Sequence, residues 1–393
     1  MIVTKVEPLS KTKYKIYLNH QFAFVLYKGE LRSYKISDGR ELSEEELDEI
    51  REKILLKRAK KRAMHLLEDM DRSEAGLREK LKAGLYPEDL IEAAVTYVKS
   101  FGYLNDVRYA ENFILARTPA WVSYVEMVKL AGGKNVLVPA GIEQDFKVTP
   151  EQLEAAITPR TRMVLLCSPS NPSGSVYTRR ELQGLVKVLE KYPQVAILSD
   201  EIYEHINYTG EFASLASFPE IADRVVIVNG VSKAYAMTGW RIGFMAGPTA
   251  VAKAVSKLQG QTTSGISTIA QKAALAAYEG PQQCVADMLA AFRRRRDLVV
   301  ELARRIPGLK VNEPQGAFYL FPEVSAYLGR RCGDRVIATD DDLAMYLLEE
   351  GHVATVSGSA FCMPGYIRLS YAASDDQLRE AFARIEKALA RLV

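Results

Sequence analysis

Four short segments carry side chains that could act together at a reacting centre. They are Asn171-Pro-Ser-Gly174, Asp200 with Tyr203 three residues on, Lys233 after Asn229-Gly-Val-Ser232, and Arg241 eight residues beyond the lysine. The apolar run Val195-Ala-Ile-Leu-Ser199 ahead of Asp200 predicts a strand that delivers the acid at its C-terminal edge, where open α/β sheets bind ligands. A carboxylate there can hold a ring nitrogen protonated, so that the ring draws electrons from a neighbouring carbanion. Lys233 lies just past another apolar run, and its amine can attack an aldehyde and, once released, act as a general base. Tyr203 and the Asn171 turn can hydrogen-bond a ring oxygen, and the planar fork of Arg241 suits a phosphate. Each segment alone has an ordinary reading: N-P-S-G as a turn, Ser-Lys as a common dipeptide, Asp200 as a helix cap. It is the ordered set that points to chemistry.

Positioning those groups requires a sheet. Apolar runs at Val136–Pro139, Met163–Cys167, Ala196–Ser199, Val225–Val228 and Ile242–Ala246 alternate with helical periods, which predicts a mainly parallel sheet covered by helices. Thr149-Pro150-Glu151-Gln152 reads as a capping box with proline at the first helical position. From about residue 281 a long helix, Ala286–Arg305, precedes strands near Ala317–Phe321, Val353–Val356 and Ile367–Tyr371 and a last helix opened by Ser374 with Gln377. This later part reads as a smaller α+β domain.

Ser168-Pro-Ser-Asn-Pro-Ser-Gly174, Ser199-Asp-Glu-Ile-Tyr203, Ser232-Lys233 through Trp240-Arg241-Ile-Gly243, and Ile367-Arg368-Leu-Ser370 fall in one order and spacing. Over residues 118–393 this set resembles class I aminotransferases of pyridoxal-phosphate fold type I, the aspartate-type enzymes above all. The resemblance implies a pyridoxal phosphate cofactor, amino acid and 2-oxo acid substrates, and a homodimer. It makes Lys233 the cofactor-bearing lysine and Asp200 the partner of the pyridine nitrogen, with Tyr203 and Asn171 on the ring oxygen. Ser232 and Arg241 would lie near the phosphate, Trp121 would stack on the ring, and Arg368, with Asn171, would take the substrate carboxylate. Large-domain and small-domain portions are expected over 118–280 and 281–393.

Residues 1–117 have a different character. They hold 22 Lys+Arg and 20 Asp+Glu, against 30 and 29 in the remaining 276 positions. So large a step in charge density suggests two units. Strands are expected at Tyr14–Leu18 and Phe22–Tyr27, then a long helix opened by the Ser43/Glu46 capping box. Further helices follow after Ser73 and Pro87, and a fourth is expected from Asn105 with Tyr109, Phe113 and Ile114 on one face, ending at Thr118-Pro119. Asp71-Arg-Ser-Glu74, Leu77 to Leu81, Tyr86-Pro87 and Phe101 to Ala110 resemble the first three-helix repeat of the RecX family, whose members bind RecA filaments. That likeness implies RecA as a partner, engaged weakly because one repeat is present. The aminotransferase resemblance implies an N-terminal segment upstream of Trp121, and this first unit stands in its place. Residues 90–117 contain one glycine, Gly102, and no loop able to offer a row of backbone donors, so weak phosphate capture is expected. Three readings stand side by side: an aminotransferase with an unusual N-terminal unit, a RecA-directed module with a passenger domain, and a hybrid with neither activity.

The rest of the composition narrows the field. Cys167, Cys284, Cys332 and Cys362 form no C-x-x-C pair and the four histidines are isolated, so neither a disulfide framework nor a metal site is expected. A net charge of +3 gives no general pull toward nucleic acid, and Lys57, Arg58, Lys60, Lys61 and Arg62 read as a solvated helix face. No apolar stretch approaches the roughly 20 residues that span a bilayer, and the first residues lack a leader's apolar core. A cytoplasmic protein is expected.

Overall fold

The protein, seen here as a computed structural model, is described over residues 1–69, 74–104 and 113–393, and it divides into two units, Met1–Glu111 and Asn112–Val393. In the first unit, β1 (Val3–Pro8), β2 (Lys13–Leu18) and β3 (Gln21–Tyr27) form an antiparallel sheet in the order β1-β2-β3. The hairpin expected from the sequence is therefore three-stranded. Val3, Ile16, Phe24 and Leu26 point inward and pack with Leu42, Ile50, Leu55 and Leu90. The helix opened by Ser43, whose side chain accepts from Glu46 N–H, runs through a π-type stretch, Ile50–Leu56, into Lys57–Asp69. Helices Glu74–Ala83 and Glu88–Ser100 complete a second core with Ala59, Ala63, Leu77, Leu81, Ile91 and Val95. Lys57, Lys61 and Arg62 are exposed as expected, but Arg58 departs from the solvated-face reading. It donates to the Val25 carbonyl and to Glu30 and lies 4.4 Å from the Tyr27 ring centre.

The expected fourth helix is corrected in part. Asn105 and Tyr109 lie outside the described residues, whereas Phe113 and Ile114 belong to a strand, β4 (Phe113–Thr118), of the second unit. A short apolar run fits a helix face and a two-sided buried strand equally well. Here pairing on both flanks decides it: β4 lies parallel to β5 (Lys134–Pro139) and to β6 (Thr161–Cys167). The sheet continues through β7 (Ala196–Asp200), β8 (Val225–Asn229) and β9 (Phe244–Ala246) in the order β5-β4-β6-β7-β8-β9. Only β9, at the edge, is antiparallel. Val164, Leu166, Ile197 and Val225 from the strands meet Leu153, Leu182, Leu185 and Leu189 from helices Pro150–Ala156 and Arg179–Leu189.

Beyond helices Thr249–Thr262 and Thr268–Glu279, the long helix Gln283–Arg305 packs with Asp340–Gly351 and Asp375–Leu389 around β10 (Tyr319–Leu320). A two-stranded piece, β11 (Arg331–Cys332) with β12 (Arg335–Val336), precedes β13 (Val356–Ser357), and β14 (Ile367–Ser370) pairs antiparallel with both β10 and β13. No helix among the described residues is long and apolar enough to cross a membrane.

Arg117 is a buried guanidinium in β4 that the sequence did not flag. It donates to the carbonyls of Phe146 and Cys167, with its ring-facing side 5.8 Å from Tyr177. Arg117→Ala strands two buried carbonyls and opens a cavity, while it relieves the cost of burying a charge. The balance is expected to be a loss of about 1–3 kcal/mol, read as a lower urea midpoint for the second unit.

Candidate active site

The sheet brings the predicted residues together. Trp121, Asn171, Asp200, Tyr203, Ser232, Lys233, Arg241 and Arg368 line one cavity of about 570 Å³, within the range of small-molecule sites. Cys167, Tyr124, Thr238 and Tyr319 line it too, and none of these four was singled out from the sequence.

Each group arrives by a local device. Asp200 ends β7, and its Oδ1 accepts from the Ile202 N–H at 3.2 Å. Asn171 sits in the turn after β6, closed by Gly174 at φ 68°, where a Cβ would stand 2.5 Å from Pro314 Cβ; only glycine fits there. Lys233 lies on the short helix Val231–Ala234 after β8. The turn before it is pinned by Asn229, which donates to Glu204 and accepts from the Gly230 N–H. A Cβ on Gly230 would come within 2.8 Å of Gly243 Cα, so this glycine lets the segment carrying Lys233 approach the one carrying Arg241. Trp121 immediately precedes helix Val122–Leu130, and Arg368 comes from β14.

Burial, then the nearby Arg241 and Arg368 charges, lowers the Lys233 amine below the ordinary lysine range, with Asp200 opposing. The same burial raises Asp200, against hydrogen bonds from Tyr124 and Ile202 and the charge of Lys233. Tyr203 is buried, which pushes its phenol far up, and its hydroxyl meets that of Tyr319 at 3.0 Å. The Arg368 guanidinium lies 4.6 Å from the Tyr319 ring centre and 4.9 Å from that of Phe361. Its Nη1 donates to Asn171 Oδ1 at 3.0 Å, while its Nε is buried without a hydrogen-bond partner. Arg241, at φ 52°, is exposed and bonds the Thr238 carbonyl.

This donor set suits a heteroaromatic aldehyde with a phosphate arm. Asp200 can face a ring nitrogen, Tyr203 and Asn171 a ring oxygen, and Lys233 the aldehyde. Ser232, Thr238 and Arg241 are the side chains available for the phosphate, and the exposure of Arg241 weakens what it can offer.

The chain matches the family model for aminotransferase class I and II over residues 108–385, and that for the RecX first three-helix domain over residues 59–97. It is 49% identical over 276 residues to an aspartate/prephenate aminotransferase of Cereibacter sphaeroides, covering 70% of this chain and 69% of that one. The corresponding figure is 47% over 280 residues for an aspartate/prephenate aminotransferase of Nitrosomonas europaea, at 70% of each chain. The crystal structure of aspartate aminotransferase from Rhizobium meliloti superposes with a TM-score of 0.69 at 40% identity, covering 86% of this chain and 88% of that one. An aromatic aminotransferase from Pyrococcus horikoshii superposes at 0.66 and 35% identity, over 72% and 76%. A sheet that delivers a lysine, an aspartate and an arginine to one cavity, and likeness over most of the length of such enzymes, place the chain in the class I and II aminotransferase family, whose members depend on pyridoxal phosphate.

Proposed function

We propose that the second unit binds pyridoxal phosphate and moves an amino group between an amino acid, aspartate foremost, and a 2-oxo acid. The observation that carries this is the convergence of Lys233, Asp200 and a partner-seeking Arg368 on one cavity. Bound there, the cofactor would supply the aldehyde carbon and an electron-accepting ring. Lys233, whose neutral form its burial favours, would hold the cofactor through its amine and would move a proton at the substrate α-carbon. Asp200 would hold a proton on the ring nitrogen. Tyr203 would donate to the ring oxygen, and Asn171, whose Oδ1 is engaged by Arg368, would offer its N–H groups to the same atom. Trp121 presents a ring face, and Arg368 clamps the α-carboxylate. The names of the relatives support aspartate as substrate, and the family supports a homodimer.

The test is addition of pyridoxal phosphate followed by assay of amino transfer from aspartate to 2-oxoglutarate, with a panel of other amino acids alongside. A cofactor band with transfer is the expected result; no band at millimolar cofactor would overturn the reading. Because Arg241 is exposed, Arg241→Ala is expected to weaken cofactor binding by only about tenfold or less, read by absorbance titration.

The first unit's match to a RecX three-helix domain favours a second reading, a RecA-directed module, which inhibition of RecA-driven strand exchange at stoichiometric ratio would carry.

A further inference from the structure

The cavity wall holds a phenol with no role in the proposed reaction so far. Tyr124 is 5% exposed and lies on the first turn of helix Val122–Leu130, three residues after Trp121. The two rings stand 5.3 Å apart and nearly perpendicular, so one turn of helix presents an indole and sends a hydroxyl toward the end of β7. That hydroxyl donates to Asp200 Oδ2 at 2.5 Å. With the Ile202 N–H on Oδ1, both carboxylate oxygens are held, and the carboxylate plane is fixed from two sides.

We propose that Tyr124 is a positioning residue: its hydroxyl orients the Asp200 carboxylate and keeps it ionised, ready to hold a proton on a ring nitrogen in the cavity. The inference deepens the reading of Asp200 given above and rests on it. The other groups facing this carboxylate cannot take over the task. Cys167 sits opposite Asp200 in the β6–β7 ladder, and burial, with the Asp200 charge, pushes its thiol up to about 12, so it remains neutral. The Tyr203 hydroxyl meets that of Tyr319 and not this carboxylate. Lys233 offers charge, but its amine must be neutral for part of the reaction, so its support is intermittent. Burial also raises the Tyr124 phenol well above its ordinary range, which keeps it a donor. A ring packed among Ala120, Leu165 and Cys167 would fill space equally well as phenylalanine, so the hydroxyl is the part that needs a role.

The experiment titrates Asp200 itself in the full chain without cofactor. Aspartate labelled with 13C at the carboxyl carbon gives one resonance per residue, and Asp200→Asn identifies the one sought. Removing a donor that favours the ionised form raises a carboxyl's proton affinity, so Tyr124→Phe is expected to move the Asp200 midpoint up by about one pH unit or more. A midpoint that stays in place or falls overturns the proposal. Should Tyr124→Phe fail to fold, wild-type chain grown on 3-fluorotyrosine supplies the opposite test. Its phenol is a stronger donor, and the midpoint is expected to fall; no change overturns the proposal. Because no cofactor enters either measurement, failure of pyridoxal phosphate to bind would sink the functional reading without altering this result.

Discussion

Lys233→Ala removes the visible absorbance band that forms on adding pyridoxal phosphate and lowers amino transfer by about a hundredfold or more, the ordinary share of a lost general base. The expectation rests on position. Among the described residues, Lys233 is the only lysine and Asp200 the only carboxylate lining the cavity, and the Lys233 Nζ lies 5.7 Å from the Tyr203 ring centre. Its chemistry adds a pH signature. An amine attacks an aldehyde only when neutral, and burial together with Arg241 and Arg368 lowers this amine from the ordinary value of 10.5. A lowered value means the proton leaves at lower pH, so the rate of band formation should rise through a midpoint below 10.5. Stopped-flow absorbance across pH reads both effects. A band that survives Lys233→Ala would place the covalent site elsewhere and undo the assignment.

How much of this was legible in the residues depends on how each one reaches the cavity. Asp200 ends an apolar run, and Asn171 and Lys233 each stand four residues past the end of one, so finding the strands locates all three. Tyr124 had a signal that was passed over: it lies three residues after Trp121 on a helix, the spacing that puts two side chains on neighbouring positions of one face. Tyr319 had none, because its place beside Tyr203 depends on β10 packing against a turn 116 residues away in sequence. Phe113–Thr118 shows the limit of periodicity. Its residues are buried on nearly every position, which erases the alternation that marks a half-exposed strand, and only the pairing with β5 and β6 tells strand from helix. The strand belongs to the unit that runs from Asn112 to Val393.

Arg368→Ala should act on substrate rather than cofactor. In the structure the guanidinium is flanked by Tyr319 and Phe361, holds Asn171 with Nη1, and leaves Nε buried and unmatched. No carboxylate among the described residues forms an ion pair with it, so a full positive charge stands partly desolvated at the cavity wall, and burial lowers its proton affinity without neutralising it. A substrate α-carboxylate supplies the missing partner in the bidentate geometry that arginine favours. Two charge-assisted bonds at roughly 1.5–3 kcal/mol each correspond to a loss of about 10²–10⁴ in kcat/KM, carried mostly by KM because the carboxylate is held alike before and during reaction. Arg368→Lys keeps the charge but not the fork and should recover only part of the loss. The same substitution has an effect without substrate. Arg368 is one of the charges that lower the Lys233 amine, so its removal should shift the midpoint of band formation upward, toward the ordinary lysine value. Steady-state kinetics with aspartate and the pH profile of band formation measure the two effects separately. An unchanged KM would mean that the carboxylate is bound elsewhere, and an unchanged midpoint would mean that Arg368 stands too far from Lys233 to tune it.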